Sequence, residues 1–340
     1  MSAFQESQSR NNRGAALLLE GRIDLAREQL EEAVRLDPGN ARALSNLGYL
    51  LDAEGQHEQA VLLLQRAIAL EPTYAVAHNN LGLAYTHLGR CDRAQESYRA
   101  AIQADGRFGV ARLNLAQLHH EREEWNEALE AYQDYLRLRP ADAQAHYNVG
   151  VVYLRKQMLE HAAASFGQAL RLQPDHAEAR INLGAILVRR GQADGAVRLL
   201  GEVVERQPEH LLARYHLAVA RLARRDLAGA AAELESILSR DGTAYQAASN
   251  LALVYRGLGR HAEAVPLLES ALERAPGHPA LTFNLGLAYQ DAGDGAAAAT
   301  CLRRVVALEP EGSRLRAQAE AALARIIHEG FANNPGVPDR

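Results

Sequence analysis

The apolar positions of this chain fall on helical faces that recur every 34 residues. In ARALSNLGYLLDAEG, Leu44, Leu47, Gly48 and Leu51 stand at i, i+3, i+4 and i+7, which is one side of a helix. In QHEQAVLLLQRAIAL, Ala60, Leu64 and Ala67 form a second such face. Between them lies Gly55, and Gly21, Gly89, Gly191, Gly259 and Gly293 hold the same place in other copies. Glycine there predicts a helix stop, because it reaches positive φ at little cost. The second apolar run closes at proline, which lacks the N–H that an interior helical position needs. Pro38, Pro72, Pro140, Pro174, Pro208, Pro276 and Pro310 keep the 34-residue count, with Gly106 and Gly242 standing in twice. The pattern predicts nine helix-turn-helix units in frames that begin at residues 7, 41, 75, 109, 143, 177, 211, 245 and 279.

A fixed period of this size marks a repeat architecture rather than one globular core, which 340 residues would in any case exceed. The eighth position of each frame is small: Gly14, Gly48, Gly82, Ala116, Gly150, Gly184, Ala218, Ala252 and Gly286. That lets the first helix approach its partner, whose Leu64, Tyr98, Tyr132, Phe166, Leu200, Leu234 and Leu268 fill the space around it. The twentieth position is alanine in all nine frames, from Ala26 to Ala298. Composition agrees: 48% of residues are hydrophobic but only 5% aromatic, which suits close helix packing.

In NNLGLAYTHLGRCDRAQESYRAAI and NLGLAYQDAGDGAAAATCLRRVVALEP the chain resembles the tetratricopeptide repeat (TPR) family. That pattern asks for a bulky residue, Leu, Gly and Tyr on the first helix, Ala and an aromatic on the second, and Pro at the close. The resemblance covers about nine tenths of the chain. It implies an all-α, right-handed superhelical solenoid whose first helices line a concave surface while second helices face outward. The expected organisation is an amino-terminal extension over 1–6, nine repeats over 7–312, a capping helix over 313–329 and a flexible tail over 330–340. The apolar side of the capping helix is assigned to Leu315, Ala319, Ala322, Ile326 and Ile327. Arg13 replaces the usual leucine in the first repeat, suiting an exposed cap. The seventh repeat has Arg221, Arg225 and Gly242 for the usual aromatic, glycine and proline, which reads either as a looser unit that alters the pitch or as drift at solvated positions.

The sixth position of the first helix is the candidate site. Asn12, Asn46, Asn80, Asn114, Asn148, Asn182, Asn250 and Asn284 occupy it, with His216 as the exception. By the resemblance this position points into the groove. An asparagine offers both an acceptor and a donor, so a row of them can pair with the backbone of an extended peptide without reading its side chains. The row is similar to that of the repeat domain of O-linked N-acetylglucosamine transferase and, in a different helical solenoid, of importin alpha. The alternative is that these amides satisfy local backbone groups or water. Candidate groove charges are Arg112, Arg155, Arg180, Arg189 and Arg214, with Arg42 and Arg256 nearby. They would meet acidic ligands or else remain solvated helix positions. Lys156 is the only lysine, so the lysine-containing carboxylate clamp of some family members is missing.

Other chemistry finds little support. His119 and His120 are adjacent and face different directions, and HEREEW lacks the HExxH spacing that puts two metal ligands on one face. No nucleophile elbow or phosphate loop is present, so no enzyme activity, metal or cofactor is expected. A net charge of -5 without a long basic tract argues against nucleic acid. No apolar run reaches the 18 residues needed to cross a bilayer, and the amino-terminal AALLL stretch is too short for a signal-peptide core; a cytoplasmic location is the expectation. Cys91 and Cys301 define no disulfide framework. The reading is a non-catalytic scaffold that binds an extended peptide or partner-protein segment in its groove. Two alternatives are a self-assembling homo-oligomer that uses its outer face or end repeats, and a repeat domain that presents substrates to a separate enzyme.

Overall fold

A computed structural model describes residues 2–332, with side chains through residue 328. Among the described residues there are nineteen helices and no strand, so the chain is an all-α helical repeat solenoid. Eighteen helices pair into nine hairpins, and the nineteenth is Arg314–Ala332. The chain divides into two compact units, Met1–Asp175 with repeats one to five and His176–Arg340 with repeats six to nine and the last helix.

The turn within each hairpin is set by one left-handed residue. Gly21, Gly55, Gly89, Gly191, Gly259 and Gly293 have φ between 69° and 83°. In each copy the N–H of the following residue reaches back to the carbonyl five residues earlier, as in Gln56 to Leu51 at 2.8 Å and Arg260 to Tyr255 at 2.8 Å. This Schellman closure satisfies carbonyls that the helix end would leave unpaired. Three repeats lack the glycine, and there Glu123, Gln157 and Arg225 adopt φ of 58°, 58° and 63° while the same hydrogen bonds persist. The backbone geometry is therefore kept even where the side chain opposes it. The break between repeats is held in a similar way. Where glycine replaces proline, the preceding Asp105 and Asp241 accept a hydrogen bond from the N–H of Arg107 (2.8 Å) and Thr243 (2.9 Å), an Asx turn in place of the proline ring.

Packing within a hairpin depends on the eighth, twentieth and twenty-fourth positions. The nine alanines at the twentieth position are all fully buried. A Cβ on Gly82 would lie 2.5 Å from the Tyr98 ring, and one on Gly150 would lie 2.6 Å from Phe166. Those approaches are too close for any side chain, which accounts for glycine there. The partners Tyr98, Tyr132, Phe166, Leu200 and Leu234 are among the largest fully buried side chains.

Two boundaries differ from the sequence expectation. The first helix starts at Ala3, inside the segment assigned as an extension, because Ser2 and Gln5 cap it reciprocally. In the last helix Ala319 and Ala322 are buried against Leu302 and Val305, with Leu315, Leu323 and Ile326 packed around them. Ile327 is exposed instead, since the i, i+4, i+7, i+11 face that begins at Leu315 passes through residue 326 and leaves 327 about a quarter turn away. The helix continues to Ala332, and the tail expected to be flexible falls, from residue 333 onward, outside the described residues.

Candidate functional site

On a helix of 3.6 residues per turn, positions 2, 6, 9 and 13 of each first helix lie along one stripe. The asparagines sit on this stripe, and most are half-buried, with Asn80 buried and Asn12 exposed. Their amides have partners. Asn46 Nδ2 donates to Asn11 Oδ1 at 2.8 Å, Asn80 to Ser45 Oγ at 3.4 Å and Asn114 to Asn79 Oδ1 at 2.8 Å. In the second unit Asn250 donates to the Tyr215 hydroxyl at 3.1 Å and Asn284 to Ser249 Oγ at 2.5 Å. Every one of these bonds spans 35 residues, from position 6 of one repeat to position 5 of the repeat before it. The amide N–H groups thus tie neighbouring first helices together. Asn148 follows Leu113, which offers no acceptor; its Oδ1 accepts from Gln144 at 3.1 Å. No described residue donates to Oδ1 of Asn46, Asn114, Asn250 or Asn284. His216 takes the same place in the seventh repeat, where burial lowers its pKa and so keeps it neutral at pH 7 like the asparagines.

The position-5 partner is a signal that the sequence reading missed: Asn11, Ser45, Asn79, Tyr215 and Ser249 are polar where the next repeat has asparagine. It also missed the apolar members of the stripe. Val110 and Leu212 at position 2, with Tyr49 and Leu253 at position 9, are about half-exposed. They lie three or four residues from the sixth position, which is Asn46, Asn114 and Asn250 beside Tyr49, Val110 and Leu253 and His216 beside Leu212.

The arginines separate into two groups. Arg112, Arg180 and Arg214 occupy position 4, off the stripe. Arg180 pairs with Glu202, and Arg214 pairs with Glu233 while donating to the Pro208 carbonyl at 2.9 Å. Arg112 lines a pocket with Glu127, Glu130 and Asp134. These three are placed between helices and not on the asparagine stripe. Arg155 and Arg189 occupy position 13 on the stripe and are exposed, as is Arg42 at position 2. Arg256 pairs with Asp291. His119 is buried with Nδ1 2.6 Å from Glu124, a satisfied histidine. His120 packs edge-on to Trp125, and burial, followed by the Arg155 charge, lowers its pKa. Cys91 and Cys301 are both free thiols, and no described helix is long and apolar enough to cross a membrane.

Several known proteins share this architecture. The structure is similar to the C-terminal part of a TPR repeat-containing protein from Cytophaga hutchinsonii, at 16% identity over 70% of this chain and 97% of that one, with a TM-score of 0.59. It is similar to pilF of Pseudomonas aeruginosa at 17% identity over 63% and 97%, with a TM-score of 0.56. YrrB, described as a TPR protein with an unusual peptide-binding site, matches at 23% identity over 54% and 95%, with a TM-score of 0.47. Comparison with curated proteins gives no significant match. Tetratricopeptide repeat profiles match residues 153–222, 187–253 and 255–326, with others of the same family at 7–40, 30–61, 53–89, 75–108 and 116–157. With its profiles matching most of the length and its hairpins in register, the chain belongs to the tetratricopeptide repeat family.

Proposed function

We propose that the first-helix stripe of each unit binds an extended segment of a partner protein, with asparagine carbonyls as acceptors for its backbone N–H groups and apolar side chains as shallow anchors. Tetratricopeptide repeats generally mediate protein–protein interactions, and such proteins are typically non-catalytic scaffolds. The observation that carries the finer reading is the division of labour within each of four asparagines. Its amide is held by the preceding repeat, so the side chain is pre-oriented, and its Oδ1 remains open at Asn46, Asn114, Asn250 and Asn284. A pre-oriented acceptor loses less freedom on binding than a mobile one. Half-exposed Tyr49, Val110, Leu212 and Leu253 supply the apolar area that backbone hydrogen bonds alone lack. Arg42, Arg155 and Arg189 outnumber the exposed Glu121 and Glu178 on the same stripe and favour an acidic segment; Arg112, Arg180 and Arg214 serve between helices. The row's similarity to that of the O-linked N-acetylglucosamine transferase repeat domain is part of this reading.

The test compares the intact chain with an Asn46→Ala, Asn114→Ala, Asn250→Ala variant and a Tyr49→Asp, Leu253→Asp variant in capture from extract, with circular dichroism to confirm folding. Partners lost from both folded variants support the stripe, and partners retained by both contradict it. A second reading rests on the first repeat, where Phe4, Leu19, Ile23 and Leu25 are exposed, Leu19 almost completely. This apolar set suits end-on self-association. Light scattering on the parent and a Leu19→Asp variant separates the two: a discrete oligomer lost in the variant supports self-assembly, and a monomer in both excludes it.

A further inference from the structure

Asp52, His57 and His87 converge at the junction of the second and third repeats, and no motif in the sequence joins them. Asp52 is in the last turn of the helix Ala41–Ala53, His57 opens the helix His57–Leu70, and His87 ends the helix Ala75–His87. His57 Nδ1 lies 2.7 Å from Asp52 Oδ1, and His87 Nδ1 lies 3.0 Å from Oδ2 and 3.1 Å from Oδ1. All three donor atoms fall within 4.8 Å of one another. The two rings tilt toward each other at 5.1 Å, so both imidazoles direct the same nitrogen at one carboxylate.

We infer that Asp52, His57 and His87 form a binding site for one divalent transition-metal ion of the zinc or cobalt class, bridging repeats two and three. The Asp52 side chain is 5% exposed, and among the described residues no arginine or lysine pairs with it. A buried carboxylate requires compensating charge, and neutral imidazoles supply only N–H dipoles. A divalent ion at the same point supplies that charge and takes the lone pairs of both Nδ1 atoms. Two imidazole nitrogens and one carboxylate oxygen suit zinc and its neighbours, whereas calcium and magnesium take oxygen sets. With metal–ligand bonds of about 2.0–2.1 Å in a tetrahedral arrangement, donors stand roughly 3.3 Å apart. To reach that spacing the His87–Asp52 contact opens by about 0.3 Å and the His57–Asp52 contact by about 0.6 Å. His87 is 49% exposed, which leaves the outer coordination positions to water.

The eighth and ninth repeats contain the same three positions with different chemistry. Arg256, His261 and Asp291 stand where Asp52, His57 and His87 stand. There Arg256 pairs with Asp291, and His261 Nδ1 lies 3.9 Å from the same carboxylate. A permanent cation already neutralises that junction, which makes it an internal control.

The test uses the full chain stripped with chelator. Cobalt(II) is titrated while its visible d–d absorption is followed, and zinc is titrated in competition with a chromophoric chelator, with the thermal midpoint recorded in both states. The expected result is one ion per chain, a cobalt band, and a midpoint that zinc raises. His57→Ala and His87→Ala should each weaken binding at least tenfold and abolish the zinc-induced rise, while His261→Ala binds like the parent. His87 is half-exposed, so its variant keeps the fold and gives a readable result even if His57→Ala does not. Absence of the cobalt band, or equal affinity in parent and His87→Ala, overturns the assignment.

Discussion

Repeats one to five and repeats six to nine fill one backbone plan with different chemistry. At the twenty-fourth position the first unit buries Leu30 and Leu64 and then the aromatic Tyr98, Tyr132 and Phe166, whereas the second buries leucine throughout, at Leu200, Leu234, Leu268 and Leu302. In both units neighbouring first helices are joined by neutral amides, from Asn46, Asn80 and Asn114 in the first and from Asn250 and Asn284 in the second. The second unit adds ion pairs that are more deeply buried. Arg214 and Arg221 converge on Glu233, Arg221 also reaches Asp226 at 3.5 Å, and Arg180 and Arg256 have carboxylate partners of their own. The small eighth residue, the alanine at the twentieth and the left-handed turn are common to both units. Those positions specify the hairpin, and the rest decide which solution conditions loosen it.

The largest expected effect tests the aromatic core. Truncating Tyr98 to Ala should cost about 3–5 kcal/mol, and Leu234→Ala about 2–5 kcal/mol. Repeat arrays unfold in parts, so hydrogen exchange resolved by helix is the measurement that places each loss. The first unit should lose protection only with Tyr98→Ala and the second only with Leu234→Ala.

Alkaline pH should discriminate repeats three and four from repeats six and seven without mutation. Burial pushes the Tyr98 and Tyr132 hydroxyls up to about 12. A raised folded-state pKa contributes stability that is complete below the ordinary value near 10 and disappears as pH rises from about 10 through about 12. Protection in repeats three and four should therefore fall over that window, ahead of repeats six and seven, where the equivalent residues are Leu200 and Leu234. Loss of this early fall in a Tyr98→Phe, Tyr132→Phe variant ties it to those two hydroxyls.

Gly82→Ala should destabilise by about 1–3 kcal/mol, because the added Cβ meets the Tyr98 ring and the helices must separate. Glu233→Gln should cost a similar ~1–3 kcal/mol by leaving Arg214 and Arg221 without their shared carboxylate. Because Glu233 is buried, its cost, like that of Gly82→Ala, should change little in high salt. The smallest effect has the opposite sign. Arg225→Gly should stabilise by about 1 kcal/mol through relief of a left-handed backbone. Chemical unfolding curves of the three variants at low and high salt check all of these.

Much of the hairpin was legible in the sequence, since a helical face, a glycine stop and a proline break are local patterns. The contact of Gly82 with Tyr98 follows from the same frame. What depends on the register between repeats was not legible. The bond from Asn114 to Asn79 crosses 35 residues, and the direction of Arg214 is decided by Glu233 on another helix. Asp52, His57 and His87 come from three helices and share no motif spacing. The seventh repeat shows the same limit. Arg221 and Arg225 break the family pattern in sequence, yet the turn keeps its hydrogen bonds and Arg221 joins an ion-pair network.

The most direct measurement of the central claim is binding of the intact chain to an array of extended peptides of graded acidity, repeated with the folded Tyr49→Asp, Leu253→Asp variant and with the triple asparagine variant. The account predicts a set of acidic, extended peptides bound by the intact chain and released by both variants. Equal binding by all three proteins, or no peptide bound by a chain that forms a discrete oligomer, would contradict it.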